Sequence, residues 1–250
     1  MTRLLRMATG SLLLVMTYSL SAAELTSHRV IGQKGFDRSN FTQGLTIHKN
    51  TLWVSSGLYG QSRVSRYQWP SMTLEHSKRL PSRFFAEGLS FVDGRLLLLT
   101  WRSKVILELN PDTLETIRFY SLNTEGWGIT SHDGVIWISD GSHRLWSGKV
   151  GETLEPIEVT VNGRAIDRLN ELEWINGEIW ANRWQTDQIL RINPTTGVIN
   201  SIVDLSGLLP RDQRRYDTDV LNGIAHDSNT NQVWVTGKRW PVLFNIEPAK

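Results

Sequence analysis

The sequence predicts an all-β fold, a five-bladed β-propeller. Three observations predict it: one segment recurs five times, matching turn residues sit inside the copies, and no stretch beyond the first 23 residues has sustained helical periodicity. The copies are "QGLTIHKNTLWVSSG", "EGLSFVDGRLLLLTW", "WGITSHDGVIWISDG", "NELEWINGEIWANRW" and "NGIAHDSNTNQVWVTGK". They start at residues 43, 87, 127, 170 and 222, at intervals of 40 to 52 residues. A period of that length is the signature of a propeller or another repeat array, whereas a large sandwich, the rival architecture, needs no equal repeats.

Each copy reads as a hairpin. Asp93-Gly94, Asp133-Gly134 and Asn176-Gly177 are residue pairs that accept positive φ in two-residue turns. Between the hairpins lie further short strands, such as "VILELNPDTLETIRFY" and "QILRINPTTGVINSIVDL", with Asn-Pro and Thr-Gly marking their turns. The longest interval carries the insertion "SGLLPRDQRRYDTD". The last copy ends after "PVLFNI", so the early strand "HRVIGQ", residues 28 to 33, is expected to complete the fifth blade and close the ring.

Residues 1–23 read as an export signal: Arg3 and Arg6, an apolar stretch from Ser11 to Leu20, then Ser21-Ala22-Ala23. The apolar stretch is too short to span a bilayer. Residues 24–250 are then one catalytic propeller domain, exported and expected in a bacterial periplasm, with no membrane attachment after signal cleavage. The 250-residue chain has no cysteine, which excludes thiolate catalysis and cysteine zinc sites and leaves burial to hold the domain. A net charge of +2 with mixed signs is not the footprint of a nucleic-acid binder, and "RDQRR" reads as a solvated loop.

Equivalent positions of a propeller point to equivalent places around its axis. The residues that open the five copies are Gln43, Glu87, Trp127, Asn170 and Asn222, and those that end the second strand are Gly57, Trp101, Gly141, Trp184 and Lys238. In a hairpin these two sets share one edge, so together they should ring one mouth of the channel, with the two glycines leaving open space. Trp53, Trp137, Trp180 and Trp234 share another register and read as packing between blades. Trp101, Trp127 and Trp184 fall in the mouth registers, where an apolar wall beside polar groups suits a small-ligand pocket. A carboxylate at Glu87, desolvated by indoles and opposed by Lys238, suits proton transfer near neutral pH.

Other chemistries are disfavoured. The six histidines share neither zinc-ligand spacing nor a mouth register, and no G-x-S-x-G turn is present for a serine nucleophile. The "NFT" at Asn40 matches a glycosylation acceptor and carries little weight in a bacterial chain.

"FTQGL", "EGWGIT", "LNELEWINGEIWANRW", "VLNGIAHD" and "VWVTGKRWPVLFNI", taken in order, resemble the plant and bacterial type of glutaminyl cyclase, the glutaminyl-peptide cyclotransferases. The resemblance covers nearly all of the chain after residue 23. It implies a five-bladed propeller that turns an N-terminal glutamine into pyroglutamate with release of ammonia. It implies Glu87 as the catalytic acid and base, Asn170 and Lys238 as groups that hold substrate or the developing oxyanion, and Phe41 with Gln43 at the pocket floor. It also implies Trp101, Trp127 and Trp184 as aromatic walls. Asn222 joins the substrate-binding set from the mouth register. The chain departs from the family pattern at Ala86, where glycine is more usual, and at Arg183, where a small aliphatic is. The expected working form is a monomer acting on peptides or proteins with an N-terminal glutamine, with no metal and no other cofactor.

Two other readings stand beside it. Glu87, Asn170, Asn222 and Gln43 could hold Ca²⁺ in a lactonase-like propeller, although only one of the four is anionic and Lys238 is near. The second is a non-catalytic periplasmic binding propeller. Glu171 and Glu173 have no assigned role beyond bracing Lys238 or neighbouring backbone, and Trp174 has none.

Overall fold

The computed structural model describes residues 23–249. The expected signal lies outside these residues, save for Ala23. The described residues open with β1 (Glu24–Thr26) and β2 (His28–Gly35), then build blades in sequence. Blade 1 is β3 (Thr42–His48), β4 (Thr51–Ser56), β5 (Arg63–Gln68) and β6 (Thr73–Arg79). Blade 2 is β7 (Ala86–Val92), β8 (Arg95–Thr100), β9 (Val105–Leu109) and β10 (Thr116–Ser121). Blade 3 is β11 (Ile129–His132), β12 (Val135–Ser139), β13 (Arg144–Gly148) and β14 (Glu155–Glu158). A small hairpin, β15 (Thr160–Val161) and β16 (Arg164–Ala165), leads to blade 4: β17 (Leu169–Ile175), β18 (Glu178–Arg183), β19 (Gln188–Ile192) and β20 (Ile199–Asp204). Blade 5 is β21 (Leu221–Asp227), β22 (Gln232–Gly237) and β23 (Val242–Pro248), with β2 as its outermost strand.

The ring therefore closes as expected, β2 pairing antiparallel with β23 from His28↔Pro248 to Gly35↔Val242. The strand β1 adds a second tie, lying parallel to β20 as a fifth strand of blade 4. The three predicted turns have positive φ at both residues: 48° and 78° at Asp93-Gly94, 47° and 76° at Asp133-Gly134, and 50° and 88° at Asn176-Gly177. That geometry matches the right-handed twist of the strands it joins.

Five apolar clusters hold the ring, one at each seam between neighbouring blades. Trp53 of blade 1 packs with Leu89 and Leu96 of blade 2, Trp137 of blade 3 with Leu172 and Ile179 of blade 4, and Trp180 of blade 4 with Ile224 and Val235 of blade 5. Trp234 of blade 5 meets Trp69 of blade 1 edge to face at 5.0 Å. In blade 2 the same register carries Leu97, packed with Ile129 and Ile136 of blade 3. Trp174 belongs to a seam too: its ring stacks on Trp137 at 5.1 Å and on His132 at 4.3 Å.

The "x-Gly" that opens most copies has a steric cause. The inner strands converge on the axis, and a Cβ on Gly88 would stand 2.8 Å from Gly128 Cα, while one on Gly128 would stand 2.1 Å from the Asn170 carbonyl oxygen. Blade 4 has Glu171 where blades 1, 2, 3 and 5 have Gly44, Gly88, Gly128 and Gly223. Its side chain occupies the axis and accepts backbone hydrogen bonds from Leu45 N at 3.3 Å and Ile224 N at 2.8 Å, linking blades 1 and 5. Glu173 repeats the link, accepting from His226 N at 3.0 Å and Thr46 Oγ1 at 3.4 Å. Both acids brace neighbouring blades; Lys238 is not among their hydrogen-bond partners.

Candidate active site

The inner strands of four blades carry a β-bulge at their mouth end. Thr42 pairs with Ser56 and Gly44 with Ser55, so Gln43 is the extra residue of blade 1. The register likewise slips by one residue between Ala86 and Leu89, Leu169 and Leu172, and Leu221 and Ile224. Glu87, Asn170 and Asn222 fall within those slips. A bulge re-aims a side chain that a regular pleat would hold to one face of the sheet.

In blades 2, 4 and 5 the bulged backbone is fixed from the preceding blade. Ser55 Oγ donates to the Glu87 carbonyl, Ser139 Oγ donates to the Asn170 carbonyl at 2.6 Å, and Gly223 N donates to Asn182 Oδ1 at 2.8 Å. These polar residues stand two positions beyond the seam tryptophans on the second strands, a register that sequence reasoning passed over.

The mouth holds a cavity of about 460 Å³, lined by Phe41, Gln43, Glu87, Trp101, Trp127, Asn170, Trp184 and Lys238 together with Leu58, Phe85, Arg102 and Glu125. Eight of the nine expected site residues thus share one cavity. Asn222 stands behind its wall: fully buried, it donates through Nδ2 to the Thr42 carbonyl at 3.0 Å and to Gln43 Oε1 at 3.4 Å. Gln43 in turn donates through Nε2 to Glu87 Oε1 at 3.4 Å. The amides of Asn222 and Gln43 form a chain that ends on the carboxyl group.

Glu87 is 5% exposed. Burial holds its carboxyl well above the usual carboxylate range; Lys238 pulls it back down, and the charge of Glu125 adds to the rise. Burial conversely lowers the Lys238 ammonium, which Glu87 and Asp219 pull back up. The Lys238 Nζ also sits 5.0 Å from the centre of the Phe41 ring. Asn170 is buried, and its Oδ1 has no hydrogen-bond partner among the described residues.

The aromatic walls are organised by a residue the sequence reading missed. Glu125 Oε2 accepts the indole N–H of Trp101 at 2.7 Å and that of Trp127 at 3.0 Å. Trp127 meets Trp184 edge to face at 5.5 Å, and Phe85 packs against Trp101 at 5.4 Å. The signal lies in "EGWGIT", where Glu125 stands two residues before Trp127. The open space expected at the two glycines is filled by rings: a Cβ on Gly57 would lie 2.4 Å from Phe85, and one on Gly141 would lie 2.7 Å from Trp127. These glycines seat the walls.

The two departures from the family pattern leave the cavity intact. Ala86 is fully buried in the seam with Trp53, and Arg183 turns aside, with Nη2 3.6 Å from Asp167 and Nη1 donating to Gln188.

Comparison with known proteins agrees with this fold. The sequence profile described as glutamine cyclotransferase matches residues 4–247. A glutaminyl-peptide cyclotransferase of Arabidopsis thaliana is 36% identical, across 88% of this chain and 72% of the relative. The crystal structure of Myxococcus xanthus glutaminyl cyclase superposes with a TM-score of 0.81 at 30% identity, covering 90% of this chain and 98% of that one.

Proposed function

The chain belongs to the glutamine cyclotransferase family, and from that premise we propose that it is a glutaminyl-peptide cyclotransferase whose chemistry runs on Glu87 in the mouth cavity. The observation that carries the proposal is a buried carboxyl group with raised proton affinity, beside an ammonium and walled by three indoles.

The substrate glutamine seats its side chain among Trp101, Trp127 and Trp184, with Phe41 and Gln43 beneath. The free α-amine attacks the side-chain amide carbon, forming the ring C–N bond, and Glu87 takes the proton the amine gives up. The carbonyl oxygen gains negative charge, which Lys238 and Asn170 stabilise. Glu87 then returns its proton to the amide nitrogen, the exocyclic C–N bond breaks, and ammonia leaves. Attack within one residue needs mainly a folded near-attack shape and a proton shuttle. Neither step calls on a cofactor.

The protein acts, in this reading, as an exported monomer on peptides or proteins that begin with glutamine. The test is ammonia release from a glutaminyl peptide by the wild type and by Glu87→Gln. The variant should lose on the order of 10² to 10⁴-fold in turnover with Tm nearly unchanged, since an amide that is easier to bury offsets the charge that Lys238 loses. Near-normal turnover in the variant would overturn the assignment.

A further inference from the structure

Leu58 lines the mouth cavity and also a second cleft of about 390 Å³ on the same face, which Arg63, Arg79 and Arg239 border with Ser39 and Ser56. Lys238 of the cavity and Arg239 of the cleft are consecutive residues, so the two hollows share a rim. Three guanidinium groups line the cleft and no carboxylate does.

The arrangement is uncompensated. Arg63 and Arg79 stand directly opposite each other on β5 and β6. Like charges so placed repel. Neither is in an ion pair among the described residues: Arg63 donates to Ser39 Oγ and Asn40 Oδ1, both at 2.8 Å. Asp37, the nearby acid, is engaged by Ser39 N and Oγ. Arg239 pairs with Asp217 at 2.8 Å, which leaves two of the three charges open. Across the mouth, Arg102 differs, since it lies over the Trp101 ring at 4.1 Å and within 3.9 Å of Glu125.

We propose that this cleft receives the residues that follow the N-terminal glutamine and selects peptides with Asp or Glu at the second or third position. The inference rests on the glutaminyl reading of the cavity. A bound peptide must leave the cavity along some path, and Leu58 marks a continuous one. Strand β5 lies two strands outward from β3, about 10 Å at roughly 4.8 Å per strand, which about three extended residues span. A carboxylate side chain there meets Arg63 and Arg79 and relieves their repulsion.

The test uses amidated tetrapeptides with an N-terminal glutamine followed by two aspartates, two alanines or two lysines, with ammonia release as the readout. The wild type should turn over the acidic peptide with a kcat/KM on the order of 3- to 10-fold above the alanine peptide, and the lysine peptide more slowly, the differences shrinking in high salt. Arg79→Gln should reduce the ratio of acidic-peptide to lysine-peptide kcat/KM, and Arg79→Glu should reverse it. Equal rates on acidic and basic peptides in the wild type, or a preference untouched by Arg79→Glu, would overturn the proposal. Ammonia from none of the three peptides would instead overturn the glutaminyl reading, and this inference with it.

Discussion

Gln43 donates a hydrogen bond to the Glu87 carboxyl at 3.4 Å while its own side-chain oxygen accepts from Asn222. The amide of Gln43 is thus oriented from behind, with its donor end toward the acid. Gln43→Met should keep the shape of the wall and remove the donor. The expected result is a fall in kcat of roughly tenfold with Tm unchanged, read from steady-state ammonia release and a thermal melt; a hydrogen bond to a charged group is worth ~1.5–3 kcal/mol when fully formed, and this one is long.

The acid limb of the pH profile should report the Glu87–Lys238 coupling. Glu87 must be ionised to accept the amine's proton, so activity falls as pH drops through its raised pKa, above the ordinary carboxylate range. Lys238 lowers that pKa. Lys238→Met should therefore move the acid limb of kcat/KM to higher pH, besides lowering the maximum. A limb that stays in place would separate the two groups.

Glu125 affects the site in two ways, through the indoles it holds and through its charge on Glu87. Glu125→Gln keeps one oxygen that can accept both indole N–H groups, more weakly than a carboxylate, and removes the charge, so the acid limb should move to lower pH with a modest rise in KM. Glu125→Ala frees both rings and should raise KM further, by about tenfold in total, with a change in tryptophan fluorescence. Equal behaviour of the two variants would argue against the ring-holding role.

The axial acids link pH to stability with a defined sign. Burial raises Glu173 from 4.5 to about 8. Below pH 4.5 both folded and unfolded states hold the proton, and the contribution of this group is fully present. Between 4.5 and about 8 the unfolded chain ionises first, so stability is lost as pH rises through that window. Glu173→Gln should lack this group's share of that loss, and its Tm relative to wild type should rise toward pH 8, by on the order of 5 to 10 °C. A constant difference across the range would contradict the buried ionisation. Glu171, raised by burial and in part by the charge of Glu173, adds a slope of its own in both proteins, a smaller one in the variant.

The architecture was legible because the repeat was. Five copies with two-residue turns named the blades, and the leftover "HRVIGQ" named the closure. The lining of the mouth cavity was legible for the same reason, since Gln43, Glu87, Trp127, Asn170, Trp101, Trp184 and Lys238 occupy equivalent registers and so converge. What escaped was whatever broke the repeat. Glu125 lies just before its copy begins, on no shared register, and its grip on two indoles depends on a loop path that spacing does not encode. Asn222 shares the register but sits behind Gln43, because a bulge sets where each side chain goes and the bulges are not visible in the alternation. Glu171 reads from the sequence as a brace for Lys238 or neighbouring backbone; it braces backbone, from the place that a glycine holds in the other blades.

Closure of the ring also dictates the order in which the chain can finish. Arg29 on β2 meets Glu247 on β23 across 218 positions. A new polypeptide emerges from its N-terminus, so β2 is made among the first strands and waits for the last before it has a partner. Such distant pairing makes folding slow, because the entropy of closing the loop comes before the contacts that reward it. Until β23 is made, β2 presents an unpaired edge, a template for wrong partners, and the exposed Val30 and Ile31 stand along it beside the exposed Arg29 and Gln33. The same strand that completes the folded ring is therefore the one most in need of protection while the chain is being made.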